Sequence, residues 1–279
     1  MNWIPSPDQR AFAATKHGKD VFLGAVFGPH WGLHVEAAYV DTDLLGTFSG
    51  EVPRAGDVRT TLQAKVQMLL EVVPDAEIVI ATEGSFGPDP VLGWVPLHEE
   101  VLLWSWPRQG KELWVAQRSH DTNFSSSDSA EWTEVRRWAE RVGFPWAHLI
   151  LRDTQGQIVA KGISDTAEFE RLWRAAAEGG APRVETDMRA NRNPKRQEVL
   201  RALANKTLEA FEALCPSCQF PGFVARPAEP GAPCSACGSA TRRPRLLKAE
   251  CTECGQVEVR DSDDQLNGVD PAYCDRCNP

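Results

Sequence analysis

The sequence predicts an α/β protein, a mixed sheet flanked by helices, followed by a small C-terminal tail of two zinc ribbons. Two observations predict the first part. Short apolar runs alternate with amphipathic stretches of helical period through the first two hundred residues, and loops rich in Gly, Pro and Asp separate them. A third predicts the tail: all eight cysteines lie after residue 214, in four Cys-x-x-Cys pairs.

Taken in order, RAFAAT (10–15) is an apolar run that ends in the loop TKHGK, and DVFLGAVFG (20–28) has helical spacing despite Gly24. LHVEAAYV (33–40) reads as a strand and empties into DTDLLGTFSGEVPR. TTLQAKVQMLLEVV (60–73) places Leu62, Val66, Leu69, Leu70 and Val73 on one helical face. EIVIA (77–81) is a buried strand whose exit is read at Glu83-Gly84-Ser85. Residues 99–120 and 148–163 form hairpins, 130–142 and 166–180 amphipathic helices, and 183–188 a short strand. Asn193 caps a last helix, with Pro194 in its first turn, running to about Leu214. These boundaries give a domain over 1–210 and a tail over 211–279.

Hydrophobic content of 42% and charged content of 25% are those of a globular chain that buries a core. A net charge of −9 argues against the whole surface gripping a polyanion, although TRRPRLLK (241–248) leaves a local basic run. No stretch approaches ~18 uninterrupted apolar residues, the length a membrane span requires. The start, MNWIPSPDQR, lacks the pattern of a secretory signal, so the expected compartment is the cytoplasm.

The pairs are Cys215/Cys218, Cys234/Cys237, Cys251/Cys254 and Cys274/Cys277. Two residues between thiols let both sulfurs of a knuckle face one ion, and two knuckles complete a tetrahedral sulfur site suited to zinc. Four disulfides are disfavoured in a cytoplasmic chain, and a redox motif has no need of four copies. The expectation is two structural zinc ions, with no open coordination position for catalysis. Sequential pairing is the expected arrangement, with one ribbon over 211–249 and a second over 250–279.

Acids and bases recur at the strand exits: ATKHGK (14–19), DTDLLGTFSGEVPR (41–54) and ATEGSFGPDP (81–90). Loops at the carboxyl ends of strands line the ligand crevice of an open α/β sheet. ETDMRANRNPKR (185–196) sets Glu185 and Asp187 beside Arg189, Arg192 and Arg196 at a helix start, the makings of an anion clamp. Carboxylates beside cations suit a site where magnesium meets phosphate oxygens. Glu51, Glu83 and Asp43 are the expected catalytic acids and magnesium ligands. Lys19, Arg54, Ser85, Arg189, Arg192 and Arg196 are the expected phosphate ligands.

ATKHGK, DTDLLGTFSGEVPR, ATEGSFGPDP, ETDMRANRNPKR and the closing YCDRCNP together resemble a bacterial family of unknown function, domain of unknown function 6671, over nearly the whole chain. Its members usually carry histidine where Asp89 stands, which leaves the role of that position open. The order Thr15, Lys19, Glu51, then Ala64 and Lys65 on a helix, then a strand ending in Glu83-Gly84, is similar to the inosine/xanthosine triphosphate pyrophosphatases over residues 10 to 90. It departs from them by lacking an asparagine in the first loop. That resemblance implies a first loop that binds phosphate and later acids that hold magnesium, and it adds Thr15 and Lys65 to the expected phosphate ligands. The expected function is a magnesium-dependent hydrolase of a nucleotide or other phosphorylated small molecule. The alternative is a non-enzymatic adaptor whose ribbons bind nucleic acid or a protein, with Arg242, Arg243, Arg245 and Lys248 as the contact.

Overall fold

The computed structural model describes residues 3–46 and 56–279. The chain divides into two compact units, one over Pro5–Thr207 and one over Leu208–Pro279 joined by Trp3 and Ile4.

In the first unit, β1 (Ala11–Ala14), β2 (Val35–Ala38) and β3 (Ile78–Pro88) run parallel, with β1 in the middle. β4 (Pro96–Trp106) and β5 (Lys111–Ser119) continue the sheet antiparallel, giving the order β2-β1-β3-β4-β5. The alanines of β1 leave room for a helix on each face. Below, Leu62, Val66 and Leu69 of α2 (Val58–Val72) pack on Phe12, Ala14, Val79, Ala81 and Leu103. Above, α1 (Lys19–Trp31) sets Phe27 edge-on against Trp104, which pairs with Ile80 in the register.

From β1 the chain crosses to β2 through α1, then returns past β1 to β3 through α2. The direction of winding therefore reverses between β1 and β3, which is where open α/β sheets place their ligands. The strand read as ending at Glu83 does not end there. β3 runs on to Pro88, because β4 continues to pair with it from Val79↔Ser105 to Pro88↔Pro96 after β1 has stopped at Ala14.

The second sheet of this unit has β6 (Ser126–Ser127), β7 (Leu149–Arg152), β8 (Ile158–Ile163) and β9 (Arg183–Thr186) in the order β6-β9-β7-β8, all antiparallel. α3 (Trp132–Val142) and α4 (Thr166–Ala177) cover it through Val135, Trp138, Phe169 and Trp173. α5 (Pro194–Glu212) follows, and the Asn193 side chain accepts from the Arg196 N–H at 3.2 Å, the cap read from the sequence.

The second unit is a three-stranded antiparallel sheet of β10 (Arg226–Pro230), β11 (Pro244–Glu250) and β12 (Val257–Asp261), followed by the short α6 (Asp263–Asn267). The segment between the first two knuckles supplies β10. Among the described residues, no helix is long and apolar enough to cross a membrane.

Candidate functional site

The loop after β1 is built for a sharp entry into α1. Thr15 Oγ1 accepts from the backbone N–H of His17 at 3.2 Å and of Lys19 at 3.3 Å. Gly18 holds a left-handed conformation (φ 68°) that a side chain would resist. This turn sends Lys16 outward and Lys19 inward. Lys16 donates to both Asp41 and Asp43 at 2.7 Å, so the loops after β1 and β2 are tied together, with His17 3.5 Å from Asp43.

Lys19 is buried and donates to the Thr82 carbonyl at 3.2 Å. Lys65, reaching across from α2, donates to the same carbonyl at 3.0 Å and to Glu83 at 2.5 Å. Thr82 is one residue beyond the end of pairing with β1, so its carbonyl lies at the chain reversal point and takes an ammonium group from each face of the sheet. Burial pushes the Lys19 amine down to about 7, against the pull of Glu100.

On the α1 face, Glu100 and Arg196 are both fully buried, and Arg196 Nε donates to Glu100 Oε1 at 2.6 Å. Arg196 also donates to the Met188 carbonyl and lies over the Phe86 ring, while His98 stacks on Phe86 and contacts Glu100 Oε1 at 3.2 Å. The Lys19 amine stands 3.9 Å from Glu100 Oε2. Burial would raise the Glu100 carboxyl, but Arg196, Lys19 and His98 outweigh it and hold it below the ordinary carboxylate range.

Gly84 makes this packing possible. It pairs with Glu100 across the strands, and a β-carbon there would stand 2.3 Å from Glu100 Oε1 and 2.6 Å from Arg196 Nη2. The glycine after Glu83 therefore serves the buried ion pair beneath it, rather than a turn at a strand exit.

Of the expected site residues, Thr15, Lys19, Lys65 and Glu83 gather at the end of β1, with Asp43 on the adjoining loop. Ser85 follows on the same face of β3 as Glu83, opposite Glu99. Glu51 and Arg54 lie outside the described residues. The expected three-arginine clamp divides: Arg196 turns to Glu100, while Arg189 pairs in bidentate fashion with Asp187, and Arg192 lies beside Arg189 near Gly162. Asp89 caps the turn at the β3–β4 tip, accepting from the N–H groups of Val91 and Leu92 and bonding His120 at 2.8 Å. Glu100 and His98 were not singled out from the sequence. Their signal was present: His98, Glu100, Leu102, Trp104 and Trp106 alternate along β4, placing an acid in register with core residues.

In the second unit the sulfurs gather as Cys215, Cys218, Cys251 and Cys254, and as Cys234, Cys237, Cys274 and Cys277. The pairing is crossed, first knuckle with third and second with fourth, and it corrects the sequential expectation. Each group draws on both 211–249 and 250–279. Cross-knuckle sulfur separations are 3.5 to 3.9 Å. A tetrahedron of sulfurs at ~2.3 Å from zinc has edges of ~3.8 Å, so each group could hold one zinc ion, while disulfides at ~2 Å do not fit. In each knuckle a backbone N–H of the residue after the second cysteine bonds the carbonyl of the first, at 2.9 to 3.0 Å. Gln219, Gly238 and Gly255 adopt positive φ to make that turn.

The class defined here is an α/β unit with a charged centre at its chain reversal point, followed by a paired four-cysteine unit. The chain belongs to the family described as Domain of unknown function (DUF6671), which matches residues 67–279. That match begins within α2 and leaves out the loops after β1 and β2. No curated protein matches the chain. Among solved structures, protein VC0702 from Vibrio cholerae aligns at 9% identity and a TM-score of 0.27 over 40% of this chain and 61% of that one. A likeness of that size carries no conclusion about fold or function.

Three outcomes are expected. C215S and C251S should each lose one of two bound zinc ions and C215S/C251S the same one, whereas C215S/C234S should lose both, as counted by metal analysis of purified protein. G84A should cost about 1–3 kcal/mol by overpacking the ion pair, whereas G87A, where a β-carbon meets nothing within 4 Å, should be near neutral in denaturant unfolding. Between pH 7 and 10 the unfolded chain keeps a proton that folded Lys19 has released, because its folded value lies below the ordinary 10.5. Stability should therefore rise with pH across that window, by up to ~1.4 kcal/mol per pH unit, and K19M should flatten the profile.

Proposed function

We propose that the Pro5–Thr207 unit is a magnesium-dependent hydrolase, pyrophosphatase-like, acting on a nucleotide or another phosphorylated small molecule. The observation that carries this reading is the meeting of Lys19 and Lys65 on the Thr82 carbonyl, beside Glu83, where the winding of the sheet reverses. Two buried lysine side chains meet at one carbonyl, and phosphate oxygens would be a stronger acceptor for both. Lys19, released to about 7 by burial, would recover its proton when an anion arrives.

In this reading Lys19 and Lys65 hold phosphate oxygens while the Thr15 turn fixes Lys19. Glu83, which pairs with Lys65, would supply a carboxylate oxygen to a cation. Among the described residues, only Glu83 and Glu100 bring carboxylates to the lysines, and Glu100 is engaged by Arg196. This donor set fits magnesium, which takes one or two carboxylates and completes its shell with phosphate and water. Bound there, the ion would neutralise phosphate charge and orient water. Glu51, Arg54 and Asp43 remain candidates for the same centre.

The alternative reading, a nucleic-acid adaptor, has less to rest on. Arg242, Arg243, Arg245 and Lys248 meet Asp275, Asp264, Glu229 and Glu250 respectively, so the basic run is matched by acids. A nucleic acid would have to displace four carboxylates there.

A panel of nucleoside triphosphates and sugar phosphates with magnesium, scored for phosphate and pyrophosphate release, tests the hydrolase. Turnover is expected for at least one substrate class, with K65M and E83Q each lowering kcat/KM by about a hundredfold. Calorimetry of pyrophosphate binding near pH 8, in buffers of differing ionisation enthalpy, should also register proton uptake that K19M abolishes. Absence of turnover together with absence of proton uptake would sink the reading.

A further inference from the structure

Beside the lysine centre, the segment after β9 carries basic groups that the proposed hydrolysis does not use. Residues 190–192 form a single 3-10 turn, in which side chains three apart lie over one another, so Arg189 and Arg192 share a side. The turn is pinned by hydrogen bonds from the Arg192 N–H to the Arg189 carbonyl (2.9 Å), from the His148 N–H to the Arg192 carbonyl (3.0 Å) and from the Asp187 N–H to the His148 carbonyl (2.8 Å). Opposite stands Gly162 on β8. Leu149 pairs with Ile163 but Ile150 pairs with Lys161, so Gly162 is the extra residue of a β-bulge, at φ +75°.

The missing side chain lets both guanidiniums close on Gly162. A β-carbon on Gly162 would lie 3.2 Å from Arg189 Nη2, 3.8 Å from Arg192 Nε and 3.9 Å from Arg192 Cζ. Asp187 neutralises Arg189, but among the described residues no carboxylate stands within ion-pair distance of Arg192. Arg192 Nε and His148 Nδ1 are both buried and make no hydrogen bond among the described residues. Leaving buried polar groups unsatisfied is costly, and sites meet that cost with a ligand or a partner. We propose that Arg189, Arg192 and His148 form an oxyanion site over Gly162 that takes one tetrahedral phosphate group, free or as a monoester. A guanidinium presents its N–H groups in a fork that matches phosphate oxygens, and the missing side chain at Gly162 lets two guanidiniums converge on one point. The net positive charge left by Asp187 supplies the attraction. The burial that lowers the His148 pKa, with Arg192 beside it, agrees with a desolvated positive pocket. This site stands whether or not the lysine centre hydrolyses anything.

The test is calorimetric titration of the full-length zinc-loaded protein with inorganic phosphate at low ionic strength. Phosphate should bind the wild type, R192Q should weaken that binding at least tenfold, and K65M should leave a phosphate site in place. G162A, which crowds Arg189 Nη2 but keeps both guanidiniums, should weaken it as well, with folding checked by circular dichroism. R136Q removes an exposed arginine paired with Glu140 and serves as the control for bulk charge. Adenosine monophosphate and a phosphoserine peptide, titrated alike, separate a small-molecule source from a protein-borne one; Arg192-dependent binding of either supports the site. Phosphate that binds R192Q as tightly as the wild type, or that is weakened equally by R136Q, overturns it.

Discussion

The fully buried pair Glu100–Arg196 is the constraint around which the first unit is organised. A carboxylate taken out of water is costly unless a cation meets it, and removal of one partner would strand the other. Glu100 belongs to the large sheet and Arg196 to the start of α5, so their bond fastens β4 to the segment that leaves the small sheet. The further bond from Arg196 to the Met188 carbonyl holds that segment where Asp187 and Arg189 also pair. Gly84 on β3 and the stacked rings of Phe86 and His98 are shaped by the same demand for space. A hydrophobic core alone would not have fixed these elements in a single register.

The charged centre at the chain reversal point follows from an inequality of strand length. β1 stops at Ala14 while β3 continues to Pro88, so β3 beyond Ala81 keeps its β4 partner and loses its β1 partner. The exposed flank of that strand receives lysines from both helical layers, one through the tight turn at Gly18 and one along α2. Such a centre is polar where the surrounding residues are apolar, and the low polarity around it is what depresses the Lys19 amine. The neighbouring bulge at Gly162 is a second place where broken pairing makes room for charge.

In the second unit, geometry rather than proximity along the chain selects the metal ligands. The knuckles stand before β10, in the β10–β11 connection, in the β11–β12 connection and after β12. Successive turns of an antiparallel sheet lie at alternate ends, so odd-numbered knuckles meet at one end and even-numbered knuckles at the other. A unit of this size is too small to depend on a hydrophobic core alone, and such sites add to its order.

By itself the sequence determined the alternation of strands and helices, the amphipathic face of α2, the Asn193 cap and the eight thiol ligands, because each rests on local spacing. Thr15, Lys19 and Glu83 were legible as polar residues following apolar runs for the same reason, whereas Lys65, on a helix, entered only through the resemblance to the pyrophosphatases. Tertiary structure alone decided that Glu100 and Arg196, far apart along the chain, share a bond, that Arg192 rather than Arg196 keeps company with Arg189, and that the knuckles pair crosswise. These depend on which strands become neighbours and at which end a turn falls, and a one-dimensional pattern contains neither.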